Sequence, residues 1–270
     1  NAGKNWQEKV KKNVRKIMDF EHVKAVFEEY LNGYDRENDK VKLKIVHTYG
    51  VIRCSEEIGR RMGLQAEDME LAKLIALLHD IGRFEQLKRF NSFEADTMDH
   101  ATYGVKVLFE EGMIRQFIEE DTWDDVIRTA IAKHSDYELT GITDERTLLH
   151  ARLIRDADKL DNCRVKLEDA METLLDLSAD EVGKYAISPK VREDAFAGKC
   201  ICSKDRRTPM DYWVSYVAYF YDLNFQETLD IVAEEQYVKR IIGRVPYTNE
   251  QTKKTMEELE RQLTEYVRRK

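Results

Sequence analysis

The sequence predicts an all-α protein. Apolar residues recur with the 3.6-residue period of amphipathic helices along nearly the whole chain. The 270 residues include 12 glycines and only three prolines, which is typical of long regular elements joined by few turns. No segment has the strict alternation of a strand, and no internal repeat is present. Helices are predicted over residues 7–32, 40–62, 67–81, 97–111, 122–134, 145–159, 160–176, 210–222, 225–243 and 250–269.

Glycines and short polar residues mark the ends of several predicted helices. The first, second and fourth helices stop just before Gly33, Gly63 and Gly112, in keeping with the preference for glycine after a helix C-terminus. At the other end, a short oxygen-bearing side chain caps free backbone N–H groups. We therefore expect Asp121 or Thr122 to cap the fifth helix and Asp144 the sixth.

The chain divides into four predicted segments. The stretch after residue 176 differs from the rest because it carries Gly183, Pro189 and Gly198. The last helix has one apolar face, which either packs on its own core or forms a homodimer. The segments are an N-terminal helical segment (1–39), a helical core (40–176), a connector or lid (177–209) and a C-terminal helical layer (210–270).

Charge and composition exclude several classes of partner. The net charge of −8 disfavours nucleic acid or an anionic membrane as the main partner, but not a small phosphate ester. The longest uncharged run, Tyr212 to Tyr221, is about half the length of a membrane span. The four cysteines form no disulfide framework, and Cys200-Ile201-Cys202 lacks a second pair. With no signal peptide at the start, we expect a cytoplasmic protein.

Five predicted helices place an imidazole or a carboxylate within or at the end of an apolar stripe. A single inward histidine is usually a hydrogen-bonded core residue, and an inward aspartate needs a cation or a hydrogen-bond network. The coincidence of so many favours a metal, because one ion satisfies all of them. Imidazole and carboxylate ligands suit Mn, Fe, Ni, Co or Zn. The candidate ligands are His47, His79, Asp80, His100, His134 and Asp158.

The order of these residues resembles a known family. His47, then His79-Asp80, then Asp158 is similar to the H…HD…D pattern of the HD superfamily of metal-dependent phosphohydrolases. The run from Leu78 to Gly82 is similar to the core motif of that family. The segment 154–162 is similar to the one carrying its last aspartate, which selects Asp158 over Asp156. Covering residues 40–176, the resemblance implies an HD-domain helical bundle that holds a divalent transition metal.

Two further histidines refine the resemblance. The order H…HD…H…H…D, with His100 and His134, looks like the binuclear subgroups, in which Asp80 would bridge two ions. No Gly-Tyr-Pro tripeptide lies near His134, so the cyclic-di-GMP phosphodiesterases match poorly. No acidic pair follows Asp80, so the alarmone hydrolases also match poorly. The resemblance therefore does not identify the substrate, and it leaves open whether the site holds one ion or two.

The resemblance implies that a metal-activated water hydrolyses a phosphate ester, either a phosphomonoester or a phosphodiester and nucleotide-like. Asp80, Arg83 and Lys159 are the predicted catalytic residues. Arg83 lies one turn beyond the metal pair, where its planar guanidinium suits a phosphate oxygen. Lys159, beside Asp158, and Lys133 are further cationic candidates, although ordinary solvent exposure explains both lysines equally well.

Other interpretations stay open. Asp161 and Asn162 follow Asp158 on the same helical face and could orient metal ligands. The aromatic residues between Tyr212 and Tyr221 either pack on the core or stack a base. Two rival functions remain: a diiron oxygenase of the same fold acting on a non-phosphorylated polyol, and a non-catalytic module that senses a nucleotide.

Overall fold

A computed structural model of the protein describes residues 18–94 and 96–269. The described residues form helices and contain no strand, so the all-α prediction is confirmed; residues 7–17 of the first predicted helix lie outside them. The helices are α1 (Phe20–Leu31), α2 (Asp39–Met62), α3 (Ala66–Leu78), α4 (Ile81–Phe90), α5 (His100–Val105), α6 (Ile114–Phe117), α7 (Asp124–Lys133), α8 (Glu145–Glu168), α9 (Met171–Leu175), α10 (Ala179–Val182), α11 (Pro189–Phe196), α12 (Pro209–Ala218), α13 (Gln226–Glu234), α14 (Tyr237–Ile242) and α15 (Glu250–Arg269). A π-helical turn (Lys106–Glu110) extends α5, and 3-10 turns lie at Ser203–Asp205 and Tyr219–Asp222.

The two longest inner helices, α2 and α8, pack along each other and form the centre of the fold. Helix α3 lies against both, α7 packs on α8, and α5 is held between α4 and α7. The C-terminal layer covers another side: α13 contacts α2 and α8, and α14 contacts α8. One continuous apolar core joins these parts, which confirms the additional C-terminal layer.

The apolar face of α15 packs within the chain. Met256, Leu259 and Leu263 are fully buried, and the helix lies against α11, α13 and α14. Each such side chain stabilises the fold by roughly 1.5–3 kcal/mol relative to its exposed state. Packing on the protein's own helices therefore accounts for this face.

Two helix predictions were wrong in extent. The expected break between residues 159 and 160 is absent, because α8 continues from Glu145 to Glu168. Conversely, the predicted helix over 225–243 is broken, because Gln236 adopts a left-handed conformation with φ 52°. No glycine or proline marks that break in the sequence, so periodicity alone spans it.

Two predictions of helix starts had different outcomes. Asp144 caps α8 as expected, and its side chain accepts a hydrogen bond from the backbone N–H of Thr147 at 2.7 Å. The predicted cap at Asp121 or Thr122 was wrong, because α7 begins at Asp124 with Trp123 at the N-cap position.

Helix α4 was not predicted at all. It begins immediately after His79-Asp80, and its inward face consists of Ile81, Phe84 and Leu87. Ten residues offer too few apolar turns for a clear periodic signal, and a glycine at its second position weakens it further. The sharp change of direction at Asp80, where φ is −104° and ψ is 17°, turns the chain from α3 into α4.

Gly82 permits the backbones of α4 and α5 to touch. A Cβ atom at this position would lie 2.2 Å from the carbonyl oxygen of His100 and 2.8 Å from the backbone nitrogen of Gly104. Both neighbours are backbone atoms, so neither can move without shifting a helix. This close contact fixes the distance between the His79-Asp80 turn and the start of α5.

We predict that Gly82→Ala destabilises the protein by about 1–3 kcal/mol, because the added methyl group forces two backbones apart. Urea unfolding followed by circular dichroism measures the change. Gly33→Ala is the matched control, since a Cβ there would meet its nearest atom at an ordinary 3.5 Å. Equal stability of the two variants would contradict the assigned contact.

Candidate metal centre

The fold brings all six candidate ligands to one place. His47 lies on α2, His79 ends α3, Asp80 precedes α4, His100 begins α5, His134 ends α7 and Asp158 lies in α8. The four histidines and Asp80 are buried, with at most 6% of each residue exposed. The side chain of Asp158 is 23% exposed and so lies toward the opening of the cluster.

Three residues form a first group of potential ligand atoms. His47, His79 and Asp80 each offer one such atom within 4.8 Å of the others. Asp158 faces the same pair of histidines: its Oδ1 lies 2.9 Å from Nε2 of His47 and 3.9 Å from Nε2 of His79.

A second group shares Asp80 with the first. His100, His134 and Asp80 also offer ligand atoms within 4.8 Å of one another. Oδ1 of Asp80 lies 3.2 Å from Nε2 of His100 and 3.6 Å from Nε2 of His134. Its other oxygen, Oδ2, lies 3.5 Å from Nε2 of His79. Each carboxylate oxygen therefore faces a different group.

The hydrogen bonds of the ring nitrogens leave lone pairs directed at the cluster. Nδ1 of His79 donates to the carbonyl of Ala76, and Nδ1 of His134 donates to that of Ile131, both at 2.7 Å. In the neutral rings, Nε2 is then an acceptor. Nε2 of His79 is buried and has no hydrogen-bond partner in the described part of the chain.

This donor set fits a divalent transition metal. A buried polar atom without a partner costs about 1–3 kcal/mol, so Nε2 of His79 calls for a ligand. Nε2 of His134 also lies only 3.0 Å from Nε2 of His100, which sets two potential acceptors against each other. A cation between such atoms removes both costs, and imidazole and carboxylate are the preferred ligands of Mn, Fe, Ni, Co and Zn.

Comparison with known proteins identifies the architecture. Residues 45–163 match the family model described as the HD domain. This part of the chain is an HD domain. The match spans every candidate ligand from His47 to Asp158, and the HD domain is typical of a superfamily of metal-dependent hydrolases. No curated protein and no solved structure matched the chain. None of the described helices combines the length and the apolar character needed to cross a bilayer.

Both aspartates of the HD domain centre are ionised at neutral pH. Burial alone would raise the pKa of Asp80, but the charges of Lys44 and His79 hold it well below its ordinary value. Burial opposes ionisation of Asp158 as well, yet the hydrogen bond and charge of His47 keep its pKa far below the usual range. Two carboxylates thus supply negative charge where a cation would bind.

The pKa values of His100 and His47 are shifted in opposite directions. Burial and the neighbouring guanidinium of Arg83 lower the pKa of His100 to about 3, so this ring is neutral. Burial and the charge of Lys44 also act to lower the pKa of His47. Hydrogen bonds to Asp158 and Asp161 outweigh them and raise it above its ordinary value. The ring of His47 therefore holds a proton more tightly than an ordinary imidazole does.

Lys44 is a member of the site that sequence reasoning missed. Its Nζ lies 2.5 Å from Oδ2 of Asp80, and its side chain is 12% exposed. It precedes His47 by three residues, so both point from the same side of α2. The three-residue spacing from His47 was the signal that the sequence offered. Without knowledge of the contact with Asp80, however, a lysine at that position is expected to be solvent-exposed.

Arg83 lies inside the centre rather than on the surface. Its guanidinium donates to the side chain of Gln86, to the carbonyl of Phe93 and to Nε2 of His100. Its Nε is buried without a partner and lies 3.8 Å from Oδ1 of Asp80. A cation on His100 would therefore compete with Arg83 for that nitrogen.

The two candidate lysines are placed differently from Arg83. Nζ of Lys159 pairs with Asp222 at 2.8 Å, and the buried Arg155 binds the same carboxylate at 2.6 Å. Lys133 is half-buried and pairs with Asp136 at 3.5 Å. Neither lysine makes a described contact with the cluster. Asp222, which the sequence did not single out, thus neutralises cations behind Asp158.

Asp161 and Asn162 hold ligand side chains as the helical spacing suggested. Oδ2 of Asp161 accepts from Nδ1 of His47 at 2.8 Å, which turns Nε2 toward Asp158. The amide of Asn162 donates to Oδ1 of Asp158 at 2.9 Å. The alternative aspartate, Asp156, instead accepts backbone and side-chain bonds from residues 224 and 225 and stabilises the start of α13.

The remaining histidines have structural roles outside the centre. His150 is buried, and its Nε2 hydrogen bonds to Asp68 at 2.9 Å. His22 is exposed and hydrogen bonds to the carbonyl of Gln116 at 2.9 Å.

We predict that metal affinity rises with pH across the neutral range and that binding releases a proton. The reason is the raised pKa of His47: as pH falls, the proton on its ring competes with the metal. Calorimetric titration in buffers of different ionisation enthalpy measures the released proton. In Asp161→Asn the pH dependence should flatten, because one interaction that raises the His47 pKa is weakened. An affinity independent of pH from about 6 to 8 would contradict this assignment.

Proposed function

We propose that this HD domain binds two divalent transition metal ions and hydrolyses a small phosphate ester, with a nucleotide-like ester as the first class to test. The observation that carries the proposal is the pair of ligand groups that share Asp80. One group alone would hold a single ion, and a shared carboxylate is what a binuclear site requires. When bound, the ions supply Lewis acidity and an activated water nucleophile.

The protein's own residues fix the ligand geometry. Backbone carbonyls of Ala76 and Ile131 set the rings of His79 and His134, and Asp161 sets the ring of His47. Because these orienting bonds come from helix ends and from a neighbouring helix, the ligand atoms keep their directions without an ion to organise them. This support favours a preorganised site.

Positive charge around the centre supports an anionic substrate. The protein as a whole is acidic, with a net charge of −8, yet Lys44 and Arg83 both approach Asp80. The guanidinium of Arg83 retains an unpartnered Nε. We assign Arg83 the role of binding a phosphate oxygen, since a planar guanidinium matches that group. A non-phosphorylated polyol carries no negative charge for these cations to bind, which weighs against the oxygenase alternative.

The other expectations from the sequence enter the proposal unchanged. Asp80 and Arg83 keep the catalytic roles predicted for them. Lys159 stays a predicted catalytic cation beyond Asp158, although Asp222 holds its ammonium in the described structure. A cytoplasmic location, a small phosphorylated substrate and a homodimer likewise remain proposals.

We predict two metal ions per chain in the wild-type protein and one in the His100→Ala/His134→Ala double variant, because the second ligand group loses both imidazoles. Elemental mass spectrometry on protein purified without a chelating column measures the ratio. His22→Ala, which alters an exposed histidine, should retain both ions. One ion in both the wild type and the double variant would limit the centre to a mononuclear site.

We predict that Asp80→Asn abolishes hydrolysis of phosphate esters and that Arg83→Met lowers kcat/KM about 10- to 100-fold. The second value corresponds to losing one charge-assisted hydrogen bond of roughly 1.5–3 kcal/mol. Turnover of a panel of phosphomonoesters, phosphodiesters and nucleotides measures both. Wild-type activity in Asp80→Asn would refute the proposed centre. Oxygen consumption with no phosphate release would favour the oxygenase alternative over the hydrolase.

A further inference from the structure

A pocket adjoins the metal centre on the side of Asp158. Its walls are one face of α8, the segment formed by α12 and the 3-10 turn Tyr219–Asp222, and side chains from α13 and α14. Its polar lining consists of Lys159, Asn162, Lys166, Tyr216 and Tyr219, and the rest is apolar. Asn162 connects this pocket to the centre, because its amide holds Asp158.

Lys166 is a buried cation without an ionic partner. Only 7% of the residue is exposed, and no described carboxylate oxygen lies within 4.0 Å of its Nζ. Its contacts are the side-chain oxygen of Asn162 at 3.5 Å and the ring of Tyr216, whose centroid is 3.9 Å away. Burial, reinforced by the charge of Lys44, lowers its pKa to about 8. Burying a charge is costly unless it is paired, so this ammonium calls for an anion.

Two phenols add hydrogen-bond donors. Tyr216 and Tyr219 line the pocket, and neither hydroxyl bonds to a described residue. Asn162 already shares its oxygen with Lys166 and its amide with Asp158. The residues that line the pocket therefore include a buried ammonium and two phenols but only one amide acceptor, a composition suited to an anionic group.

The spacing relates this pocket to the metal centre. Asp158, Asn162 and Lys166 follow one another at intervals of four residues and so lie along one face of α8. Eight residues at 1.5 Å each separate the backbones of Asp158 and Lys166 by about 12 Å. A single molecule can thus reach both.

We propose that this pocket binds a second anionic group of the substrate, a phosphate or a carboxylate, while the scissile phosphate occupies the metal centre. The inference rests on the proposed function and assigns its substrate to the bis-anionic phosphate esters. The clear space in the pocket is about 10 Å³, roughly the room that one water molecule needs. Binding a phosphate or a carboxylate there would therefore require the side chains of Tyr216 and Tyr219 to move.

A binding experiment tests the pocket independently of catalysis. Inorganic pyrophosphate is titrated calorimetrically into the His79→Ala variant, whose metal centre is disabled, with and without Lys166→Met. We expect Lys166→Met to weaken binding at least 10-fold and the exposed control Lys254→Met to leave it unchanged. Unchanged binding in Lys166→Met, or loss only in Lys44→Met, would overturn the proposal.

Stability separates a binding role from a structural one. Because the ammonium is buried and unpaired, Lys166→Met should leave the thermal midpoint unchanged or raise it. A lower midpoint with unchanged pyrophosphate binding would show that Lys166 supports the fold and would refute the anion site.

Turnover identifies the anionic group. Alkyl monophosphates are compared with the corresponding bisphosphates and with monophosphates that end in a carboxylate. We expect Lys166→Met to reduce kcat/KM at least 10-fold for one doubly anionic series and to leave the simple monophosphates unchanged; the series affected distinguishes phosphate from carboxylate. An equal loss on all three series would overturn the proposal. If the wild type hydrolyses none of them while Lys166-dependent pyrophosphate binding persists, the proposed function fails and the anion site stands.

Discussion

An ionised carboxylate buried between two helices determines much of this structure. Asp80 sits at the turn from α3 to α4, is 3% exposed and stays charged because positive and hydrogen-bonding groups surround it. An unpaired charge at that depth would cost several kcal/mol. The four histidines, Lys44 and Arg83 converge from five helices to meet this requirement. The close contact at Gly82 belongs to the same arrangement, since it holds α5 and His100 against the turn.

Side-chain cations and metal ions are alternative ways to satisfy the same oxygen and nitrogen atoms. Lys44 donates a hydrogen bond to Oδ2 of Asp80, and Arg83 donates one to Nε2 of His100. Both acceptor atoms are potential metal ligands. A bound divalent ion would displace each side chain from its partner. The released ammonium and guanidinium would then be free to meet an anion arriving at the ions. Ion binding and substrate binding would thereby be linked through Lys44 and Arg83.

The sequence predicted which candidate ligands lie together better than it predicted the helices around them. A histidine that ends an apolar stripe, such as His79 or His134, is visible from periodicity, and burial follows from the stripe. Helix α4 is invisible because ten residues with three inward apolar side chains give no clear period. The contacts of Lys44 and Lys159 depend on which carboxylate a neighbouring helix presents. Such pairings arise from tertiary packing, and spacing along one helix does not contain them.

The distribution of charge discriminates between the candidate functions better than the ligand set does, because the same ligands could serve a hydrolase, an oxygenase or a sensor. Lys44, Arg83 and Lys166 all lie near Asp158 or Asp80, in a protein whose overall charge is negative. A cation in a low-exposure position is costly unless it is paired, and Lys166, unlike Lys44 and Arg83, has no described carboxylate beside it. A neutral polyol would not engage these charges, whereas a phosphate ester that carries a second anionic group would engage each of them. A sensor would share the cations, but it would not need two ligand groups that meet on one carboxylate.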